Sequence, residues 1–290
     1  INTVDYPEDW YSVNNFLNDD SDDFNVLFLP WHLYMTFSWS ERRIANPTYD
    51  FFDTPVIHGQ NMEAGPTQPQ SSDPEQAYIQ FLLDNRYKVS NFGELIAPLN
   101  IKYVILAKEV DYENYNFLHS QEDLEIVLEN PHMILFKNMH ETGLFYIVNE
   151  SKSISDWNML IANEQGQIMK TAYVLGQNIS SQSQDSSFHI PDYRKNTPVT
   201  YSVKMPNEDF EGYLVFTDPF NGHWRYDGAK SFVNLGLTNT FNIDNNDEIV
   251  IHYERFNELL VYYMISFISF ILLISTYRMK KARLIQKRQL

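Results

Sequence analysis

The sequence predicts an α+β fold that combines a small α/β domain, an antiparallel β-sandwich and one C-terminal transmembrane helix. In the first half of the chain, strand-like and helix-like segments alternate, which is typical of α/β domains. In the second half, apolar residues recur with a period of two, which is typical of half-buried strands. Near the end, a run of 19 residues contains no charge, and this length suits a membrane-spanning helix.

Two apolar runs in the first half indicate strands of one sheet. NVLFLP stops at Pro30 and indicates a buried strand, while NIKYVILAK, from Asn100 to Lys108, has the continuous β-branched composition of a central strand. Between them, a helix is expected to begin with Asp73 as N-cap and Pro74 at the first helical position. Its predicted apolar stripe consists of Ala77, Tyr78, Phe81 and Leu82.

The segments after the central strand predict one more helix and two more strands. SQEDLEIVLEN is interpreted as a short helix capped by Ser120, because Leu124, Val127 and Leu128 fall on one helical face. HMILFKNM and GLFYIVNE are predicted to be strands. Strand, helix and strand in this succession complete the expected α/β domain.

The second half carries the alternation and the turn signals of a β-sandwich. In TPVTYSVKMP, alternate residues from Val199 to Met205 share one face, and EIVIHYERF alternates again. YLVFTD indicates a more fully buried strand. In the sequence that follows, DPFNG and Asp227-Gly228 are predicted turns, and Trp224 begins a strand between them. Several short strands at this spacing indicate a sandwich.

The charge-free run LLVYYMISFISFILLISTY, from Leu259 to Tyr277, predicts a transmembrane helix. At 1.5 Å per residue it would be about 28 Å long, close to the thickness of a bilayer core. Tyr262, Tyr263 and Tyr277 lie near its ends, where interfacial aromatic residues are found. The alternative is a buried core helix, which the absence of a polar face disfavours.

The uneven distribution of charge predicts the orientation of the chain. The chain carries −17 overall, yet six basic residues and no acidic residue lie in the last 13 positions. By the positive-inside rule this tail is cytoplasmic, so the bulk of the chain is extracytoplasmic at a cell membrane and part of the cell envelope. We therefore expect an extracytoplasmic α/β domain at 1–150, a membrane-proximal β-sandwich at 151–257, the transmembrane helix at 258–277 and the basic cytoplasmic tail at 278–290.

Composition and motifs exclude several function classes. The rest of the chain holds 15 basic and 38 acidic residues and would repel nucleic acid. The absence of cysteine excludes disulfides and thiolate metal sites. No GxSxG, P-loop, GxGxxG or HExxH motif occurs, and the acidic segment NDDSDD lacks the Gly and Glu of a calcium loop. The sequence thus predicts no catalytic, cofactor-binding or metal site in these residues, and the lipid bilayer is the first partner expected.

Aromatic residues supply the candidate ligand contacts. Four lie in a long loop rich in Pro, Gly and Asn, and one lies among charged neighbours further on: Trp31, Trp39, Tyr49 and His58, then Trp224. Such rings stack on sugar faces, but they also pack loops and cores, and packing is the favoured interpretation. Asn149 and Asn178 begin N-glycosylation sequons, whose occupancy the sequence leaves open.

Four stretches, in a fixed order over nearly the whole chain, resemble one group of membrane proteins. They are NVLFLP, FGELIAPLNIKYVIL, LENPHMILFKNMHETGLFYIV, and YLVFTDPFNGHWRYDG followed by a strand that ends in Tyr253 and by the last membrane helix. Phe136 and Asn138 fit the third motif, and Trp224 and Asp227-Gly228 fit the fourth. The set resembles the C-terminal extracytoplasmic portion of polytopic membrane proteins related to the GT-C glycosyltransferases, including the YfhO-type proteins and the group labelled 6-pyruvoyl-tetrahydropterin synthase-related.

The chain departs from this pattern at several positions, which leaves the subfamily open. Asn100 stands where a glycine is usual, Gly143-Leu144 replaces Pro-Arg, and His223 replaces another glycine. The segment DNND also replaces a glycine turn before the last strand.

The resemblance implies a function for a longer chain. In that family an upstream bundle of membrane helices carries the catalytic acid and transfers a sugar from a polyprenyl-phosphate-linked donor. No residue of this chain matches that catalytic motif. The implied role is therefore an accessory region that caps the upstream membrane-helix domain and helps to bind a glycan or a lipid-linked sugar. The alternative is a non-enzymatic single-pass surface protein whose sandwich binds carbohydrate or another protein.

Overall fold

A computed structural model describes residues 5–40, 42–60, 73–162, 166–175, 187–205, 210–244 and 248–288. In its first half, a five-stranded mixed sheet has hydrophobic cores on both faces. The elements of this half are α1 (Glu8–Asn18), β1 (Asn25–Leu29), β2 (Tyr34–Thr36), β3 (Arg43–Ala45), α2 (Thr48–Phe51), β4 (Val56–Ile57), α3 (Pro74–Asp84), α4 (Phe92–Ile96), β5 (Ile101–Ala107), β6 (Leu124–Glu129) and β7 (Met133–Asn138).

The sheet of the first half has the strand order β4-β1-β5-β7-β6. β1 runs parallel to β4 and β5, whereas β7 runs antiparallel to β5 and β6. β5 is therefore the central strand that its composition predicts, and all its residues except Lys102 are buried.

Side chains of the central strands alternate between two cores, because successive residues of a strand point to opposite faces. Leu27 and Val104 pack in the core that contains α3 and α4, while Phe28 and Ile105 pack in the core that contains α1. The first half is thus a layered α/β structure with helices on both faces of its sheet.

Helix α3 begins as the sequence predicts. Asp73 Oδ1 accepts a hydrogen bond from the Glu75 N–H at 3.0 Å, and Pro74 occupies the first turn. Tyr78 and Leu82 are buried as expected. Two predicted members of the stripe are only half-buried, Ala77 and Phe81. The apolar face is completed by Ile79 and Leu83.

The helix predicted in SQEDLEIVLEN is wrong, because this segment forms β6. β6 pairs antiparallel with β7, with Leu124 opposite Asn138 and a register shift between Ile126 and Leu128. The backbone hydrogen bonds that β7 offers, together with the β-branched residues, outweigh a short helical periodicity. Ser120 does not cap a helix, since it ends a 3₁₀ helix and donates to the carbonyl of Phe117.

The second half contains two further five-stranded sheets, a short parallel strand pair and a long C-terminal helix. Its elements are β8 (Phe145–Val148), β9 (Glu150–Ile154), α5 (Asn158–Ala162), β10 (Thr171–Leu175), β11 (Phe188–His189), β12 (Tyr193–Thr197), β13 (Thr200–Lys204), β14 (Glu211–Pro219), β15 (Trp224–Tyr226), β16 (Ala229–Lys230), β17 (Phe232–Asn234), β18 (Thr238–Asp244), β19 (Glu248–Tyr253) and α6 (Phe256–Arg288).

The two five-stranded sheets form the predicted antiparallel sandwich. One has the order β11-β8-β14-β18-β17 and the other β12-β13-β19-β15-β16. Their inner faces share one core, in which the rings of Phe145 and Phe216 stack at 4.8 Å. Val203 and Ile251 supply the opposite sheet's part of this core.

The turn predicted at Asp227-Gly228 links β15 to β16. Asp227 has φ +46° and Gly228 has φ +75°, while Tyr226 and Ala229 form the closing pair of the hairpin. Positive φ at both central residues is the geometry of a type I′ turn, which favours Asp or Asn followed by Gly. The local sequence therefore explains this hairpin.

The two halves pack against each other through apolar side chains. On the outer face of the β8–β14 sheet, Tyr146 and Val215 contact a cluster that includes Ala97 and Ala172. The core beside α3 and α4 also receives Tyr173 from β10. The domain boundaries expected at residues 150 and 257 stay a prediction, and the chain crosses between the two halves in the segment that contains β8, β9 and β10.

Helix α6 leaves the body of the molecule and contains the predicted membrane span. The stretch Leu260–Arg278 has a mean hydropathy of 1.9, and none of it is buried against the rest of the chain. A core helix of a soluble protein would be mostly covered, so this finding favours the membrane interpretation. The side of the membrane on which the body and the tail lie stays a prediction.

Candidate functional site

The five aromatic candidates do not lie together. Trp31 and Trp224 are buried in different cores, with 5% and 6% of their surfaces exposed. Trp39 is half-buried in an aromatic cluster beside α1, where its ring lies 4.9 Å from that of Phe37. In the described part of the chain, no hydrogen bond or ring contact joins any two of the five candidates. Their role in sugar binding stays a prediction.

Tyr49 and His58 differ in their surroundings. Tyr49 is 80% exposed on α2, whereas His58 is half-buried and its burial lowers its pKa. Gln76 on α3 holds the segment around His58, because its Nε2 donates to the His58 carbonyl and its Oε1 accepts from the Gln60 N–H. The buried Gln76 thus positions a loop that the sequence marked only by its aromatic residues.

The structure describes one of the two sequon residues, Asn149. Asn149 is half-buried between β8 and β9, and its Oδ1 accepts a hydrogen bond from the Ser187 N–H at 2.8 Å. Asn178 lies outside the described residues. Glycosylation at either position stays a prediction.

A cleft of about 490 Å³ between the two halves is the best candidate site. The first half contributes Glu75 at the start of α3 and Asn100 before β5, while the sandwich contributes Lys195, Tyr201 and Asp218. Its lining is rich in carboxylates and amides and includes two aromatic rings, those of Phe24 and Tyr201. Such a set accepts hydrogen bonds from hydroxyl and amine groups.

Two carboxylates from different halves dominate the electrostatics of this cleft. Burial raises the pKa of Glu75 to about 7, with further contributions from the charges of Asp73 and Asp218. Burial also raises the pKa of Asp218, and nearby Lys195 acts in the opposite direction. Near neutral pH, Glu75 is therefore divided between its acid and carboxylate forms, so it both donates and accepts hydrogen bonds.

Asn100 has the backbone conformation that explains the usual glycine at this position. Its φ is +57°, in the left-handed region that Gly and, less often, Asn adopt. Its Nδ2 donates to the Asp23 carbonyl at 2.8 Å, while its buried Oδ1 has no partner among the described residues. Asn100 thus adopts a backbone conformation that is common for glycine, and it adds an amide to the cleft.

An ion-paired group borders this cleft through its aspartates, Asp20 and Asp22. Lys102 Nζ lies 2.5 Å from Asp20 and 2.8 Å from Asp22. Burial would raise the pKa of Asp20, but hydrogen bonds from Lys102 and Tyr103 outweigh it and hold that pKa below its usual value. On the same side, the Tyr193 hydroxyl of the sandwich donates a short hydrogen bond to Asp23 of the first half.

A second, larger cleft of about 790 Å³ lies beside the loops that follow β7 and β11. His140 lines it and has Nε2 3.5 Å from Asp123, whose hydrogen bond and charge raise the pKa of His140. Lys137 and His189 also line it. Among the described residues, no group of three or more His, Asp or Glu is arranged to hold a metal ion.

Little in the local sequence indicates that these residues would line a cleft. Glu75 appears in the sequence as an ordinary first-turn residue of a helix, and Asp218 as part of a turn. Their pairing depends on the packing of the two halves, which no local pattern encodes. The sequence does mark Asn100 and Gly143-Leu144, as departures from a motif, and NDDSDD, as an acidic segment, and residues of all three line the clefts.

We expect the contribution of Glu75 to the stability of the protein to fall as the pH rises from about 4.5 to about 7. Its pKa in the folded state, about 7, is above the ordinary value of 4.5. Between these values the folded state binds the proton more tightly than the unfolded chain, so the free energy of unfolding decreases as the pH rises through this window. Thermal unfolding across this range should show the decrease in the parent and less of it in Glu75→Gln. A control, Glu113→Gln, alters an exposed carboxylate and should follow the parent.

Comparison with known proteins found similarity at the level of structure only. No family model matches the chain, and no curated protein matches it. Cryo-EM structures of the arabinofuranosyltransferase AftD from Mycobacteria, in its parent form and in a mutant, match with a TM-score of 0.42 at 8–9% identity. The match covers 86% of this chain and 30–31% of those chains, so this chain spans about a third of their length. A likeness of this size assigns neither a family nor an activity.

Proposed function

We propose that this chain is the extracytoplasmic accessory region, with the last membrane helix, of a GT-C-like membrane glycosyltransferase or of a relative such as the YfhO-type proteins. The sugar donor would be a polyprenyl-phosphate-linked sugar. The catalytic acid would lie upstream, in the membrane-helix domain of the same chain. The body would lie outside the cytoplasm and the basic tail inside it.

The observation that carries this proposal is the position of the exposed apolar helix. β19 ends at Tyr253 and α6 begins at Phe256, so only two residues separate the sandwich from the helix. The span Leu260–Arg278 has no cover within the chain and needs a bilayer or other membrane helices around it. The sandwich is thereby held at a membrane surface, as the family resemblance requires.

The structure explains why the residues of the resembling motifs are suited to their positions. Trp224 fills the sandwich core, Asp227-Gly228 forms the I′ turn, and Tyr253 is the last residue before the helix junction. Asn100 adopts the positive φ of the usual glycine. These features support a common architecture and leave the chemistry to the upstream domain.

The cleft between the halves would serve this function by holding part of the acceptor or of the lipid-linked sugar. Glu75, Asp218 and the Asn100 amide offer acceptors for sugar hydroxyls. Asp218 and Pro219 also end β14, and the loop after β14 is bound to the residue before α6 by a hydrogen bond from the Glu254 N–H to the His223 carbonyl. A ligand in the cleft would therefore be held near the membrane.

The test is sugar transfer by the full-length protein in membranes, with labelled polyprenyl-phosphate-linked sugars as donors. We expect transfer by the parent and a loss of about tenfold in the double variant Glu75→Gln/Asp218→Asn, since about two hydrogen bonds to the ligand are weakened. Glu113→Gln, which alters an exposed carboxylate of the 3₁₀ helix Tyr112–Ser120, is the matched control and should transfer normally.

Two outcomes would contradict the proposal. If the full-length parent transfers no sugar from any such donor, the alternative of a non-enzymatic surface protein gains support. If these 290 residues alone catalyse transfer, the division between an upstream catalytic domain and an accessory region is wrong.

A further inference from the structure

The junction between the sandwich and α6 sets the height of the sandwich above the bilayer. Glu254 and Arg255 are the residues between β19 and α6, and the apolar span begins at Leu260. At 1.5 Å per helical residue, Leu260 lies about 6 Å along the axis from Phe256. The headgroup layer on each side of the hydrocarbon core is about 5–7 Å thick. Glu254 therefore lies at the level of the headgroups.

One loop of the sandwich is fixed at the same level as Glu254. This loop, 220–223, joins β14 to β15, and we name it the junction loop. The Glu254 N–H donates to the His223 carbonyl at 3.0 Å. The Asn221 Nδ2 donates to the Tyr253 hydroxyl at 3.4 Å. The junction loop therefore cannot move away from the start of α6 without breaking these bonds.

A buried arginine locks the junction loop to the residue before the helix. Arg225 is 6% exposed, and its guanidinium donates to the Gly222 carbonyl at 2.6 Å and to the Glu254 carboxylate in a short ion pair. Because the guanidinium is a planar fork, it fixes the angle between these partners as well as their separation. The loop and the start of the helix thus form one rigid corner.

The junction loop presents an apolar ring to its surroundings. Phe220 lies between Pro219 and Asn221, and its side chain is 39% exposed. Its N–H donates a hydrogen bond to the Leu237 carbonyl at 2.8 Å. Arg255, which follows Glu254 in the chain, is 58% exposed and has its Nε 3.9 Å from the Glu258 carboxylate. An isolated exposed ring is ordinary on a protein surface, but a ring held at headgroup height matches the interfacial aromatic anchors of membrane proteins.

We propose that the junction loop rests in the headgroup layer of the bilayer, with the Phe220 ring inserted at the boundary with the acyl chains and Arg255 near lipid phosphates. This second contact would fix the orientation of the sandwich relative to the bilayer. With α6 as the sole attachment, the sandwich could change its tilt about the start of that helix. The inference rests on the part of the proposed function in which α6 crosses a bilayer, and it does not depend on sugar transfer.

The absence of cysteine makes this inference directly testable. A nitroxide label is attached to the Phe220→Cys variant, and the labelled protein is reconstituted in phosphatidylcholine vesicles. The label then reports one position among these 290 residues. We expect the label to collide with oxygen and to be several-fold less accessible to a water-soluble nickel complex than a label on Tyr87→Cys. Tyr87 is 80% exposed at the end of α3 and serves as the aqueous control. Tyr263→Cys, within the span and 71% exposed, serves as the membrane control.

The three labels distinguish failure of this inference from failure of the proposed function. If Tyr263→Cys reports the bilayer and Phe220→Cys reports water, the inference is overturned and the membrane anchor stands. If Phe220→Cys is shielded from both probes, another protein segment covers the loop and the lipid contact is likewise overturned. If Tyr263→Cys reports water, α6 does not span and the proposed function fails with the inference. Circular dichroism of each labelled protein verifies that the fold is retained.

Discussion

Trp224→Ala is expected to lower the free energy of unfolding by about 3–5 kcal/mol, the cost of removing a large buried aromatic side chain. The indole is 6% exposed and lies between the rings of Phe216, at 4.9 Å, and Tyr253, at 5.5 Å. Its truncation leaves a cavity between the two sheets and removes edge-to-face contacts on both sides. Urea unfolding in detergent micelles, followed by near-ultraviolet circular dichroism, measures the change.

Tyr87→Ala is the matched control, because it removes an exposed ring instead of a buried one. Tyr87→Ala removes a ring that is 80% exposed and should change the free energy of unfolding by less than about 0.5 kcal/mol. If Trp224→Ala is as stable as the parent but loses ligand binding or transfer, Trp224 acts as a contact residue. That result would revive the interpretation of this position as a sugar-binding site.

Glu94→Ala is expected to destabilise the protein by about 2–5 kcal/mol, because it removes the acceptor of two buried hydrogen bonds. Glu94 is 1% exposed on α4. Its Oε1 accepts from the Ile168 N–H and its Oε2 from the Asn91 amide, each at 2.8 Å. Loss of the carboxylate leaves both donors buried without a partner. It also removes the hydrogen bond that links α4 to the 3₁₀ helix Ile168–Lys170.

Two further variants distinguish the loss of these buried hydrogen bonds from a general effect of shortening a side chain. Glu94→Gln keeps the volume and one acceptor, so its loss of stability should fall between those of the parent and Glu94→Ala. Glu113→Ala removes an exposed carboxylate and should have little effect. If Glu94→Ala unfolds within about 0.5 kcal/mol of the parent, the buried hydrogen bonds to Ile168 and Asn91 do not contribute as described.

Much of the fold follows from local sequence, and the failures have a common cause. The cap at Asp73, the central strand β5 and the turn at Asp227-Gly228 each depend on neighbouring residues, and each is confirmed. The helix predicted at Ser120 failed because β7 supplies backbone partners from another part of the chain. Local periodicity carries no information about such partners.

The candidate site was the least predictable feature, for the same reason. Glu75 and Asp218 lie in different halves and become neighbours only when α3 packs beside the end of β14. Aromatic residues attracted attention in the sequence, yet Trp31 and Trp224 are buried in cores. Asn100 was visible only because a glycine is usual there, and its left-handed backbone gives that departure a physical meaning.

The position of β8 in its sheet has a consequence for how the chain is synthesised. β8 pairs with β14 and β11, and both of these strands are made after it, with Phe145 opposite Phe216. While the chain is being synthesised, both edges of β8 remain open and its apolar residues have no partners until the later strands are made. We expect the unfinished protein to need shielding by a chaperone at this stage, until β14 is made and closes the sheet.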